Sequence, residues 1–285
     1  MTSSIYQSAI VEMKELDNLF IELTSKGCNQ RCKNCYIDFP LYKKQADYID
    51  VDIIKQALND TTNEKIKCIY LSGAEPMTHP DFNSILRLCL KRTDVCICTN
   101  GSFINEKKAR FLKKVEGESL NAIIFKISID HYDEVKNDDV RYRGAYRHGM
   151  FAIRHLLKYN FSVILSLTNS YNLSKEEIYS GFKSSFKRYD INPDSILIQV
   201  SPFYNRFQKQ EEPNIVPSDC FDCINSRVLS SNGVYTCPFL VNDFRGRCGG
   251  SFADYNRRCS LETEYCATCA KSSAPVFSLD FSLFH

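Results

Sequence analysis

Six short strand-like runs alternate with helical stretches between residues 18 and 200, and nothing else in the sequence constrains the fold as much. The runs are LFIEL (19–23), IKCIYL (66–71), VCIC (95–98), AIIFKISI (122–129), FSVILSL (161–167) and SILIQV (195–200). Between them apolar residues recur at helical spacing. Ile53, Ile54, Ala57 and Leu58 follow Asp50, an expected N-cap, and Phe82, Ile85, Leu86 and Cys89 follow Pro80 at a first-turn position. Ser174 and Glu177 have capping-box spacing ahead of Ile178, Phe182 and Phe186. Two more helices are expected over 105–115 and 145–158. This alternation implies an α/β fold with a parallel sheet and right-handed crossovers. Six βα units are too few to close an eight-stranded barrel. An open (βα)6 partial TIM barrel over 18–203 is expected, with function at the C-terminal ends of its strands.

Residues 1–17 read as an N-terminal extension and the polar stretch 204–218 as a linker. In the remainder, 219–285, Asn232-Gly233 stands between two strand-like segments, a strong hairpin signal. The tail is expected to be a small cysteine-rich domain containing a β-hairpin.

A net charge of +2 gives no electrostatic case for nucleic acid or an anionic membrane. Apolar runs such as Val163-Ile164-Leu165 fall far short of the roughly 18 residues that span a bilayer. The N-terminus lacks a basic start ahead of an apolar stretch, so it does not read as a signal peptide, and a cytoplasmic protein is expected. In that reducing setting clustered cysteines more often bind metal or do redox chemistry than form disulfides. There are fourteen cysteines, so the point matters. Cys68, Cys89, Cys96 and Cys98 lie inside apolar runs and read as small buried hydrophobes. The five histidines show no ligand spacing, and His131 is expected to be structural.

Cys28, Cys32 and Cys35 crowd one loop directly after the first strand. A structural zinc site takes four ligands in paired knuckles, but the local set stops at three with no histidine close by. Three soft thiolates suit three corners of a [4Fe–4S] cube, leaving the fourth iron for something other than protein. The stretch CNQRCKNCY resembles the CxxxCxxC signature of the radical SAM superfamily. That resemblance implies S-adenosylmethionine (SAM) on the open iron and a 5′-deoxyadenosyl radical that abstracts a substrate hydrogen. It also implies an electron donor such as flavodoxin or ferredoxin. Gly73-Ala74-Glu75-Pro76 resembles the family's Gly-Gly-Glu-Pro motif at the methionine amino group, with Ala74 in place of the second glycine. Thr99-Asn100-Gly101 is similar to the family's TNG turn. Ser128 and Asp130 stand where relatives contact ribose or carboxylate, Arg143-Gly144 resembles the pair whose arginine binds the SAM carboxylate, and Tyr36 matches the aromatic near adenine.

The seven tail cysteines are Cys220, Cys223, Cys237, Cys248, Cys259, Cys266 and Cys269. They resemble the twitch or SPASM extensions of this superfamily, which imply auxiliary iron–sulfur clusters around such a hairpin. One auxiliary [4Fe–4S] cluster is expected, on Cys237, Cys266, Cys269 and either Cys220 or Cys223, with zinc as the alternative. The leading functional expectation is a radical SAM oxidoreductase acting on a small molecule or peptide. A maturase of a ribosomal peptide is the second, although residues 1–17 are too few for the usual leader-binding domain. A non-catalytic metal-binding or redox-sensing protein is the third.

Overall fold

The computed structural model describes residues 10–37, 47–202, 222–270, 272 and 275–279. The stretch 204–218 and Cys220 therefore lie outside the described residues.

Strand β1 (Ile10–Glu12) precedes β2 (Asn18–Glu22), after which strands and helices alternate. They are α1 (Val51–Asp60), β3 (Cys68–Ser72), α2 (Phe82–Leu90), β4 (Asp94–Thr99), α3 (Glu106–Glu116) and β5 (Ile123–Ser128). Next come α4 (Glu134–Val140), α5 (Ala145–Lys158), β6 (Ser162–Asn169), α6 (Lys175–Arg188) and β7 (Leu197–Pro202). The tail contributes β8 (Ser226–Ser230), β9 (Gly233–Tyr235), β10 (Arg247–Gly249), β11 (Arg258–Ser260) and α7 (Glu264–Ala270). Strands β2 to β7 lie side by side in sequence order, all parallel, as the alternation predicts. Asp50 caps α1 through the Asp52 N–H, and Ser174 and Glu177 form the expected capping box. Two local expectations change. Asp81 holds the N-cap position of α2, so Pro80 lies outside the helix, and the polar EVKNDDV forms an unexpected helix, α4.

Side-chain alternation along the strands builds two cores. Leu19, Ile21, Ile69, Leu71, Val95, Ile97, Phe125 and Ile127 point outward and pack with helix residues such as Ile54, Leu86, Leu112 and Ile153. Phe20, Tyr70, Cys96, Ile124 and Ile164 form a second cluster on the inner face. Phe20 of β2 and Ser201 of β7 line one cavity of about 210 Å³. In a flat sheet, strands five positions apart would stand roughly 24 Å from each other. The sheet is therefore curled, consistent with a partial barrel.

The expected hairpin is present, but it joins the main sheet. β8 pairs in parallel with β2, Asn18 opposite Ser226, and β9 and β10 follow antiparallel. The reason is physical: β2 would otherwise offer a long unpaired edge. β1 pairs antiparallel with β11, so part of the N-terminal extension is tied to the tail.

Residues 275–279 cross the inner face, held through their main chain. Gln199 Nε2 donates to the carbonyls of Pro275 and Ser278 at 2.9 Å each, Ser201 Oγ to that of Val276 at 3.1 Å, and Lys126 Nζ to that of Phe277 at 2.8 Å. The Asp222 carboxylate accepts the N–H groups of Val276, Phe277 and Ser278 at 2.8–3.1 Å. Asp222→Ala leaves these donors without their acceptor and should cost about 3 kcal/mol. Urea denaturation measures this, and an unchanged midpoint would show that the clamp is dispensable.

Candidate active site

The loop after β2 is pinned from three sides. Thr24 and Gly27 accept the N–H groups of Ala74 and Glu75 at 2.8 and 2.9 Å, joining it to the turn after β3. Asn100 Nδ2, after β4, reaches Asn29 Oδ1 at 3.0 Å and Cys28 Sγ at 3.9 Å. On the third side Asn34 Nδ2 donates to Asp130 Oδ2 at 3.0 Å, and Lys33 N to the Val140 carbonyl at 2.7 Å. The turn after β3 needs Gly73. Its φ is +121°, and a Cβ there would lie 2.6 Å from the Thr24 carbonyl oxygen.

Cys28, Cys32 and Cys35 are free and line the cavity at the C-terminal ends of the strands. Burial raises all three thiols, Cys35 to about 11. Tyr36, Gly73, Ala74, Asn100 and Ser128 line the same cavity. Glu75 is 1% exposed and turned away: its carboxylate accepts Thr99 Oγ1 at 2.8 Å and Asn100 N at 2.9 Å. Burial raises its pKa against these bonds. Glu75 thus locks the turn after β3 to the turn after β4, with Pro76 opening a short 3₁₀ helix behind it.

Asp130 is also buried, behind the cavity wall. Its carboxylate accepts Asn34 Nδ2, Arg141 Nη1 at 2.8 Å and Thr168 N at 2.9 Å. Arg143, expected at the SAM carboxylate, is exposed, and it is Arg141 that lines the cavity. Burial works against the Arg141 charge, but the carboxylate of Asp130 and the nearby Cys32 hold its pKa above the ordinary value.

Other cavity residues were not singled out from the sequence: Gln30, Asn34, Lys126, Ser166, Thr168, Ser201, Phe239 and Phe277. Lys126 had a visible signal, a charge inside the apolar run AIIFKISI. Cys98 also lines the cavity and is not an inert core residue; a hydrogen bond with Cys96 holds its thiol below the usual range. Cys68, Cys89 and Cys96 are buried as expected. His131 is buried and accepts the Asp133 N–H through Nδ1 at 2.8 Å.

In the tail, Cys223, Cys237, Cys266 and Cys269 line a second, smaller cavity. Burial, reinforced by neighbouring Cys266, pushes the Cys237 thiol well up. Phe239, Val276 and Phe277 line both cavities and form the wall between them. Cys259 neighbours Cys223, whose hydrogen bond, aided by the buried Arg227, lowers the Cys259 thiol to about 7. Arg227 also lies near Cys248, which faces Thr236 Oγ1 at 3.5 Å. Among the described residues no three His, Cys, Asp or Glu side chains are grouped to hold a single metal ion.

The Asp130–Arg141 pair generates a prediction. Asp130→Ala leaves a buried guanidinium without its carboxylate and frees Asn34, and should cost about 3–5 kcal/mol. A denaturation midpoint equal to wild type would show that Arg141 finds another partner.

The family model described as the radical SAM superfamily matches residues 23–184, more than half of the chain. No curated relative matches the sequence. Among solved structures, SuiB of Streptococcus suis bound to S-adenosylmethionine is similar, with a TM-score of 0.63 and 12% identity. The match covers 84% of this chain and 64% of that one, so this chain spans slightly under two thirds of its length. The anSMEcpe structure with bound AdoMet is similar with a TM-score of 0.61 and 17% identity, covering 84% of this chain and 78% of that one. At such identities the likeness shows the fold alone, whereas the match over residues 23–184 carries the family: the chain belongs to the radical SAM superfamily.

Proposed function

We propose that this chain is a SAM-dependent radical oxidoreductase, with one [4Fe–4S] cluster on Cys28, Cys32 and Cys35 and an auxiliary one in the tail. The family implies the first cluster and SAM, and the residues fit. Three free thiols of one loop face a common cavity, and two buried donors there, Gln30 Nε2 and Arg141 Nε, have no partner among the described residues. When bound, these groups supply a 5′-deoxyadenosyl radical that takes a hydrogen atom from substrate.

The chain's own residues position and shield. Gly73 and Ala74 bring main chain close, Asn100, Ser128 and Thr168 offer polar groups, and Tyr36 offers an aromatic face. Phe20, Val276 and Phe277 cover the apolar side and exclude water from a reactive intermediate.

The observation that carries the oxidative reading is the second cavity, lined by four cysteines and separated from the first by Phe239, Val276 and Phe277. A substrate that has lost a hydrogen atom must lose one more electron to become an oxidised product. Cys223, Cys237, Cys266 and Cys269 would hold an auxiliary cluster behind that wall, which would supply such one-electron chemistry, with burial tuning its potential. Cys223 is the fourth described thiol of this set, and Cys220, the other candidate, lies outside the described residues. An electron donor such as flavodoxin or ferredoxin completes the cycle in the cytoplasm.

A peptide maturase is the second reading. The inner face already holds a bent segment, 275–279, through main-chain carbonyls, a kind of contact that a peptide substrate also offers.

Changing Cys28, Cys32 and Cys35 together to Ala should remove about four of about eight irons per chain and abolish 5′-deoxyadenosine formation from SAM and dithionite. Retained SAM cleavage would end the radical reading, in favour of no catalytic role for this loop. Mössbauer spectroscopy of the same variant should show a remaining [4Fe–4S] cluster. A tail holding zinc or no metal sinks the auxiliary cluster. With a tail cluster present, Cys237→Ala or Cys266→Ala should spare 5′-deoxyadenosine formation and block the oxidised product.

A further inference from the structure

The loop that carries the three cysteines also carries Gln30, a residue no motif singles out. It is 2% exposed and lines the central cavity between Cys28 and Cys32. Its amide lies against a ligand position: Cys32 Sγ stands 3.7 Å from Gln30 Oε1, and as a protonated thiol it donates there. Gln30 Nε2 is buried with no hydrogen-bond partner. A thiolate on iron has no proton to give and only accepts. Exchanging the two ends of the planar amide, a half-turn about its last torsion, puts an N–H where the oxygen now stands. That one rotation repairs both defects, because it gives the sulfur a donor and uses the unpaired one.

Arg141 lines the same cavity as Gln30. Its side chain is 12% exposed, and Asp130 takes Nη1. Nε is buried with no partner, in the cavity that Cys28, Cys32 and Cys35 also line. Buried N–H donors without acceptors are costly and rare, so two at one cavity point to an acceptor that belongs there.

Resting on the cluster assignment above, we infer that Gln30 and Arg141 are positioning residues that donate N–H groups to the sulfur of the Cys28–Cys32–Cys35 cluster and raise its reduction potential. Reduction adds negative charge to the cluster. Donors and a cation beside sulfur therefore stabilise the reduced form more than the oxidised one. Lys33 and Asn34 belong to the same loop but point elsewhere, to Asp139 and Asp130.

The test is an EPR-monitored redox titration of the reconstituted full chain, read on the loop cluster. Gln30→Leu keeps the volume and deletes the donor, and Arg141→Lys keeps the charge and deletes Nε. Each should lower the equilibrium constant for reduction about tenfold, which is about 59 mV more negative for one electron. A merely structural role would change iron content or stability and leave the potential of the remaining cluster alone. Wild-type potentials in both variants, with full iron content, overturn the inference. If Gln30→Leu fails to assemble a cluster, wild-type protein labelled with 15N only in the glutamine side chains decides. Pulsed EPR of its reduced loop cluster should show a 15N coupling that is lost in Gln30→Glu, and no coupling in wild type overturns the inference. A wild-type chain that takes up no iron overturns the cluster assignment itself, which is a separate outcome.

Discussion

The carboxylate of Asp130 is the node on which the site depends. One oxygen takes the N–H of Thr168 at the end of β6, and the other takes Asn34 of the cysteine loop and Arg141 after α4. Three separate stretches of chain thus meet on one buried side chain. Each contact is charge-assisted, which makes it stronger and more directional than a neutral hydrogen bond. Glu75 does the same work one strand pair away, joining the turns after β3 and β4. Two acidic residues that look like ligands in the sequence are therefore fasteners. They fix the rim while main chain, neutral side chains and the cations of Lys126 and Arg141 line the cavity.

Much of the fold was legible because a parallel sheet buried on both faces leaves continuous apolar runs. Asn100 and Ser128 were singled out by their likeness to the family's motifs at strand ends, and both line the cavity. Arg141 was missed. The sequence VRYRG offers two arginines, and family spacing favours Arg143; only the end of α4 decides which one turns inward. Cys98 and Cys96 look alike in VCIC, yet one reaches the cavity because it lies one residue pair nearer the strand end. Strand pairing in the tail was not legible. Nothing local in SRVLS names β2 as its neighbour, since an unpaired edge is a property of the assembled sheet.

The wall between the two cavities is thin and aromatic. Phe239 packs edge-on against Phe277 at 4.6 Å between ring centroids, Tyr36 meets Phe239 at 5.6 Å, and Tyr265 stacks on Phe239 at 5.0 Å. Tyr36 follows Cys35 and Tyr265 precedes Cys266, so the rings run from one cysteine group to the other. Such a wall keeps the spaces dry and separate while leaving few atoms between them.

The pairing of β2 with β8 has a consequence for how the chain is made. Residue 18 leaves the ribosome early and its partner, residue 226, arrives only after the whole α/β unit has been synthesised. Contacts so distant in sequence close slowly, because the loop entropy must be met before the pairing gives anything back. Throughout that interval one edge of the sheet is bare and the cysteine loop beside it is uncovered by the tail. Residues 275–279, which lie across the inner face, are made later still than β8. The thiols of Cys28, Cys32 and Cys35 are thus most accessible during synthesis, before residues 226 and 275–279 have been added.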